Sequence, residues 1–135
     1  MRKYLNAFFI ADTHFSHRNI LTSGFGTRDF ATIEEHDEYL VKVWNETVGV
    51  NDRVYLLGDV AFQSKFEVLA RLNGSLTLVL GNHDYPSKIA KIQEVRPDIR
   101  IAGCIVDSDL IISHIPVHPD CLGDRAEFNI HGHLH

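Results

Sequence analysis

Five apolar runs in the sequence each end abruptly in aspartate, asparagine or histidine. These residues are Asp12 and His14 after LNAFFIA, Asp59 after RVYLLG, Asn82, His83 and Asp84 after SLTLVLG, His114 after DLIIS, and His133 and His135 after EFNI. Carboxylate and neutral imidazole ligands without a thiolate suit divalent manganese, iron, zinc or nickel. The set holds more ligands than one tetrahedral zinc ion uses. We therefore expect two metal ions, about 4 Å apart, that share a carboxylate.

Two such ions would give these side chains the chemistry of phosphoester hydrolysis. The ions would lower the pKa of a bridging water, so that hydroxide is present near neutral pH, and they would hold the phosphoryl oxygens of the substrate. They would also stabilise the charge of the in-line transition state. A nearby imidazolium could then protonate the leaving oxygen.

The apolar runs that carry these residues have the length and the β-branched, aromatic-rich composition of buried strands. Helical patterns lie between them. Thr32 and Glu35 form a capping box before a helix. The apolar residues of that helix fall roughly on one face and are Ile33, Leu40, Val43, Trp44 and Val48. Ser64 and Glu67 repeat the box, and Pro86 suits the first turn of a third helix. Residues 99–115 predict two strands joined by a turn at Asp107–Asp109.

This order of elements predicts one α/β layered domain over residues 1–135 with a mixed sheet, because strands alternate with helices before a final run of strands. Ligands of open α/β sheets bind in the crevice outside the carboxyl ends of the strands. Each polar group described above follows such an end. The five strand ends can therefore converge on one site.

Five short blocks of the sequence resemble the calcineurin-like metallophosphoesterases, in particular small phage and bacterial members. The blocks are DTH at 12–14, GDV at 58–60, GNHD at 81–84, SHIP at 113–116 and GHLH at 132–135. Each block alone has many chance matches, but all five occur in the family's order over nearly the whole chain. The resemblance implies a four-layer α-β-β-α sandwich, in which two packed mixed β-sheets are flanked by helices.

The resemblance also implies a role for each residue of the blocks. One metal ion would be held by Asp12, His14, Asp59 and His135, and the other by Asp59, Asn82, His114 and His133. Asp59 would bridge the two ions, for which manganese is the first expectation and iron, zinc, nickel or magnesium the alternatives. His83 would face the substrate and assist the leaving group, and Asp84 would orient and charge His83. Asn82 would also contact the substrate.

Residues beside the blocks are further candidates for contact with the substrate. The phrase DTHFSHRNI contains a second histidine, His17, as in the small family members. Arg18 and Arg28 could pair with a substrate phosphate. The glycine-bearing loop Leu21–Asp29 is either a lid over the site or an ordinary surface loop. His36 lies in a charged helical stretch, where we expect it to be solvated.

The composition favours a small phosphoester over a polymer as the substrate. The formal net charge of −5 gives no general attraction for nucleic acid. A nuclease remains an alternative, because bound metals would add positive charge. A non-catalytic scaffold of the same fold is a further alternative, although the ligand set is complete. The two cysteines form no metal-binding or redox motif and, with no apolar run long enough to span a membrane, favour a cytoplasmic protein. The oligomeric state is not set by the sequence.

The terminal histidines also admit a simpler origin as the remnant of a purification tag. Against this, EFNI before them has the pattern of a native strand, and the sequence contains no hexahistidine run. Members of the family usually continue past this block with further strands. A chain truncated after His135 is therefore one expectation.

Overall fold

The computed structural model describes residues 6–22, 28–63 and 65–135, in which two β-sheets carry the strands. The first sheet has four parallel strands in the order β1-β2-β3-β4. Their bounds are β1 Ala7–Ile10, β2 Arg53–Leu56, β3 Ser75–Val79 and β4 Arg100–Ala102. Helical segments connect consecutive strands and return the chain to the same edge of the sheet. The carboxyl ends of β1, β2 and β3 consequently lie side by side.

The second sheet contains β5 Ile105–Asp107, β6 Leu110–Ile112 and β7 Phe128–Ile130. β5 and β6 form an antiparallel hairpin, and β7 pairs with β6 in parallel. Only this sheet is mixed, so the expectation of two mixed sheets is wrong for the first. The segment that predicted two strands holds three, because residues 100–102 join the parallel sheet before the predicted hairpin begins.

Two α-helices and two short 3₁₀ helices lie in the connections between the parallel strands, the first 3₁₀ helix at Arg18–Leu21. α1 spans Ile33–Thr47, and the side chain of Thr32 accepts a hydrogen bond from the Glu35 N–H at 3.2 Å, as the capping box predicts. α2 spans Pro86–Val95 with its proline in the first turn, also as predicted. The second predicted helix is the 3₁₀ helix Glu67–Arg71. Phe66 precedes it as N-cap without a side-chain bond, and Ser64 lies outside the described residues.

The apolar face of α1 is slightly rotated from the one expected. Ile33, Trp44 and Val48 are buried as predicted, but Val43 is 38% exposed and Val41 is buried in its place. No helix in the described ranges has the length and apolar character that crossing a membrane requires.

Alternate residues of the central strands face two separate cores. Val54 and Leu56 of β2 pack with the helices, whereas Tyr55 and Leu57 pack toward Ile112 of the second sheet. This alternation follows from the two-residue period of a strand. The described chain therefore has a helical layer, a parallel sheet and a second sheet.

Candidate metal centre

The predicted site residues come together at the carboxyl edge of the parallel sheet. The loops after β1, β2 and β3 carry Asp12, Asp59 and Asn82, while the segments after β6 and β7 carry His114 and His133. The side chains form two groups, and within each group the candidate ligand atoms all lie within 4.8 Å of one another. The first group is Asp12, His14 and His135, and the second is Asp59, His114 and His133.

The candidate ligand atoms of the first group converge on one point. Nε2 of His14 lies 3.3 Å from Nε2 of His135, and these atoms lie 3.9 and 3.8 Å from Oδ1 of Asp12. That carboxylate oxygen is buried and has no hydrogen-bond partner. An unsatisfied buried oxygen is costly in a folded protein. A divalent cation would satisfy it, so the residues fit a metal ion.

The second group shows the same convergence of acceptors. His114 lies with Nδ1 2.6 Å from the Leu57 carbonyl oxygen, so in the neutral ring Nδ1 carries the proton and Nε2 has the lone pair. Nε2 lies 2.8 Å from Oδ1 of Asn82, 3.3 Å from Oδ2 of Asp59 and 3.2 Å from Nδ1 of His133. Asp59 belongs to this group, and its bridging of two ions stays a prediction.

Each of the two carboxylates uses one oxygen for the backbone of another loop. Oδ2 of Asp12 accepts a hydrogen bond from the His133 N–H at 2.8 Å, and Oδ1 of Asp59 accepts one from the His83 N–H at 2.9 Å. The other oxygen of each carboxylate is thereby oriented toward its group of imidazoles. Such bonds fix the direction of metal ligands.

Most of the predicted ligands have a backbone conformation that sequence patterns do not reveal. Positive φ angles between 48° and 72° occur at Asp12, His14, Asp59, His133 and His135. Few residues other than glycine adopt this region, and those that do concentrate at functional sites. The loops thus bear backbone strain at five of the seven expected ligands.

The carboxylate of Asp84 contacts the backbone of two loops. Its buried Oδ2 accepts hydrogen bonds from the backbone N–H groups of Asp59 and Gly81, both at 2.8 Å, and its Oδ1 lies 3.4 Å from the N of Val60. The carboxylate therefore ties the loop after β2 to the loop after β3. Its oxygens face backbone amides, and the expectation that it orients the imidazole of His83 stays a prediction.

His17 and His83 both line a cleft of about 410 Å³ beside the two groups. The ring of His17 stacks on Phe62 at 4.0 Å between centroids, and it lies 5.3 Å from the ring of His14. Burial lowers the pKa of His17, and the neighbouring His83 and Arg28 lower it further. Ile20 forms an apolar part of the same wall.

Arg18 does not belong to this cleft. Its exposed guanidinium lies 3.8 Å from the carboxylate of Glu34 on the surface. Most of the predicted lid, Leu21–Asp29, lies outside the described residues, because these do not include residues 23–27.

Sequence patterns missed a polar cluster beneath the first group. His36, which we expected to be solvated, is 1% exposed and contacts Arg28 and Asp37. Arg28 binds backbone carbonyls of the ligand loop instead of facing the cleft. Burial lowers the pKa of the Arg28 guanidinium, and the charge of Asp12 partly offsets this effect. The helical spacing of α1 gave the only available signal, since His36 lies three residues after Ile33 and eight before Trp44, both of which are buried.

Comparison with other proteins gives one relative that matches part of the chain and one that matches nearly all of it. No family model matches the chain. It is 39% identical over 82 residues to an uncharacterized protein of Methanocaldococcus jannaschii, covering 57% of this chain and 46% of that protein. It is 28% identical over 164 residues to the Gene 66 protein of Mycobacterium phage L5, covering 96% and 77% of the two chains. The first of these matches spans less than half of its partner's length.

The fold also occurs in a solved structure. The crystal structure of a protein of unknown function from Aquifex aeolicus superposes with a TM-score of 0.71 at 25% sequence identity. The match covers 96% of this chain and 78% of the other. The two-sheet α/β arrangement is therefore one that a crystallised protein also has.

Proposed function

We propose that the chain is a dinuclear metal-dependent phosphoesterase acting on a phosphomonoester or a small phosphodiester. The observation that carries the proposal is the pair of ligand groups, each with one carboxylate and two imidazoles, at the edge of one cleft. The buried Oδ1 of Asp12, which has no hydrogen-bond partner, supports a cation at the first group.

The donor types support a borderline or hard divalent metal. Asp12, His14 and His135 would hold one ion, and Asp59, Asn82, His114 and His133 the other, with Asp59 shared between them. Bound there, two divalent ions would supply an activated water and neutralise phosphoryl charge. Manganese is our first assignment, with iron, zinc, nickel or magnesium as alternatives.

His83 is the group that we assign to the leaving oxygen. Its backbone N–H donates to Oδ1 of Asp59, and its carbonyl accepts a hydrogen bond from Nζ of Lys88 at 2.9 Å. The backbone N–H and carbonyl of His83 are thus both held by hydrogen bonds, while its ring lines the cleft. A positioned imidazole can donate a proton as the ester bond breaks. His17, stacked on Phe62, offers the substrate a second imidazole.

The finer fold assignment belongs to the same proposal. In an α-β-β-α sandwich, the helical layer and the two sheets would be three of the four layers. Helices on the outer face of the second sheet would make the fourth, which is the arrangement that the motif resemblance implies.

The direct test is hydrolysis of nitrophenyl phosphate and bis-nitrophenyl phosphate by protein loaded with manganese. Metal content is measured on the same samples, and single-stranded DNA is included to detect a nuclease. We expect two ions per chain and turnover of at least one nitrophenyl ester. Protein that holds two ions but cleaves none of these substrates would contradict the proposal.

His83→Ala tests the assigned proton donor. We expect turnover to fall by about 10²- to 10⁴-fold, the usual contribution of a general acid, with two ions still bound. His118→Ala is the matched control, because it removes an exposed imidazole that contacts Asp120 on the surface. Loss of metal from His83→Ala would instead make His83 a ligand, and unchanged turnover would exclude it as the acid.

A further inference from the structure

A chain of hydrogen bonds lies behind the loop that carries Asp12 and His14. It runs from Arg28 through His36 to Asp37, and we refer to these three residues as the relay. Nη1 of Arg28 lies 2.9 Å from Nε2 of His36, and Nδ1 of His36 lies 2.9 Å from Oδ1 of Asp37. The His36 side chain is buried, and the ring of Phe30 contacts it edge-on.

The chemistry of arginine fixes the direction of every bond in the relay. A guanidinium can only donate, so Nε2 of His36 accepts and the proton of its neutral ring lies on Nδ1. That N–H donates to Oδ1 of Asp37. Oδ2 of Asp37 then accepts from the backbone N–H of Ser16 at 2.9 Å and from its hydroxyl at 3.2 Å.

The two ends of the relay hold the two ends of the same loop. Arg28 donates to the carbonyl oxygens of Asp12 and Thr13, while Asp37 binds Ser16. Between these anchors, the φ angles of Asp12, His14 and Ser16 are 54°, 48° and 61°. Backbone in this region persists only where surrounding contacts hold it.

We propose that the relay is a positioning device for the metal ion held by Asp12, His14 and His135, and that it sets the affinity of that ion. This inference rests on the proposed function, because it assigns the relay to one of the two proposed ions. The second group takes its ligands from Asp59, His114 and His133, none of which the relay contacts in the described structure. The loop that the relay holds touches the second group only at the backbone of its ligands, where the His133 N–H donates to Oδ2 of Asp12 and the His14 N–H donates to the Asp59 carbonyl oxygen. The relay should therefore act mainly on the first ion and much less on the other.

Cooperation among the three residues follows from the burial of His36 between the partly buried Arg28 and Asp37. Removal of Arg28 or Asp37 leaves a ring nitrogen of the buried His36 without its hydrogen-bond partner, which is costly. Arg28→Met removes the donors at similar length, and Asp37→Asn replaces an acceptor oxygen by an amide that cannot serve both His36 and Ser16. Arg28→Lys keeps the charge and can still reach a carbonyl, but it lacks the planar fork.

The experiment is a titration of the metal-free chain with manganese. Calorimetry measures the heat of binding, and electron paramagnetic resonance measures the free Mn²⁺. We expect wild type to bind two ions. In Arg28→Met and Asp37→Asn, one ion should bind about 10- to 100-fold more weakly, the usual effect of losing a group that orients a ligand. The other ion should be unchanged within about threefold, and Arg28→Lys should be intermediate. Near-ultraviolet circular dichroism checks that each variant is folded.

Arg71→Met is the matched control, because Arg71 makes a two-pronged pair with Glu38 on the exposed surface at 2.6 and 2.7 Å. It should bind both ions as wild type does. The inference would be overturned if folded Arg28→Lys and Asp37→Asn bound both ions as tightly as wild type, or if they bound both ions more weakly by the same factor. Neither result would contradict the proposed function. Failure of wild type to bind two ions would overturn the proposed metal centre itself.

Discussion

His14 is surrounded in a way that keeps its imidazole neutral. Burial, together with the nearby His135 and Arg28, lowers its pKa from the ordinary 6.5 to about 3. The ring centroids of His14 and His135 lie 5.1 Å apart. Neutral imidazole is the form that binds a metal. The surroundings that make charge unfavourable on His14 thus prepare it as a ligand over the whole physiological range of pH.

This pKa predicts how the stability of the metal-free protein depends on pH. Below pH 6.5 the unfolded chain binds a proton at His14 that the folded chain does not bind until about pH 3. The free energy of unfolding should therefore fall on acidification between these values, by up to about 1.4 kcal/mol per pH unit for this one proton. The measurement is urea unfolding at several pH values in the presence of a chelator.

His14→Gln removes the titrating imidazole, so the free energy of unfolding should fall less steeply on acidification than it does in wild type. His118→Gln removes a histidine whose side chain is 71% exposed and should leave the decline as in wild type. Identical slopes in wild type and His14→Gln would show that another group dominates the acid response.

The loops that follow the strands approach one another so closely that glycine is required between them. A Cβ on Gly132 would lie 2.5 Å from Oδ2 of Asp12, the atom that binds the His133 N–H. A Cβ on Gly58, where φ is +88°, would lie 2.6 Å from both Gly81 and Nδ1 of His114. These glycines let the ligand loops meet, which explains their place in the motif blocks.

Gly132→Ala should separate the last ligand block from Asp12. Overpacking of this kind costs about 1–3 kcal/mol, and the shift should weaken metal binding because Asp12, His133 and His135 move apart. Thermal unfolding and manganese titration measure the two effects. Gly103→Ala is the matched control, since its Cβ would meet nothing within 4 Å. Unchanged binding by Gly132→Ala would mean that the loop adapts without loss.

The elements show why part of the site could be predicted and part could not. Asp59 and Asn82 were predictable because buried apolar runs mark strands and parallel strands end at one edge. The burial of His36 was not predictable, because the charged residues around it indicate an exposed position and its partner Arg28 lies eight residues earlier in the chain. Asp84 was assigned to its sequence neighbour His83, whereas in the fold its carboxylate binds the amide of Asp59. Long-range pairing of polar groups and positive φ angles leave no periodic signal in a sequence.

At the scale of the whole molecule, the distribution of charge bears on the substrate. The chain has a formal net charge of −5, and the described residues that line the cleft include no lysine or arginine. Positive charge at the reaction centre would therefore come from the two ions. Ile20 adds an apolar surface to the cleft wall. A substrate with one phosphoryl charge and an ester group in place of the second charge suits these walls better than a dianion does.

We therefore expect the manganese-loaded protein to prefer phosphodiesters to phosphomonoesters. A charged oxygen without a cationic partner forgoes a hydrogen bond worth about 1.5–3 kcal/mol, which corresponds to roughly a tenfold to hundredfold difference in kcat/KM. The comparison is bis-nitrophenyl phosphate against nitrophenyl phosphate on the same preparation. Asn19 also lines the cleft, so Asn19→Lys places a cation on the cleft wall and should raise the monoester rate relative to the diester rate. Gln93→Lys adds the same charge on the exposed face of α2 and should not. A wild-type preference for the monoester, or an equal response to both lysines, would show that the cleft walls do not set the choice.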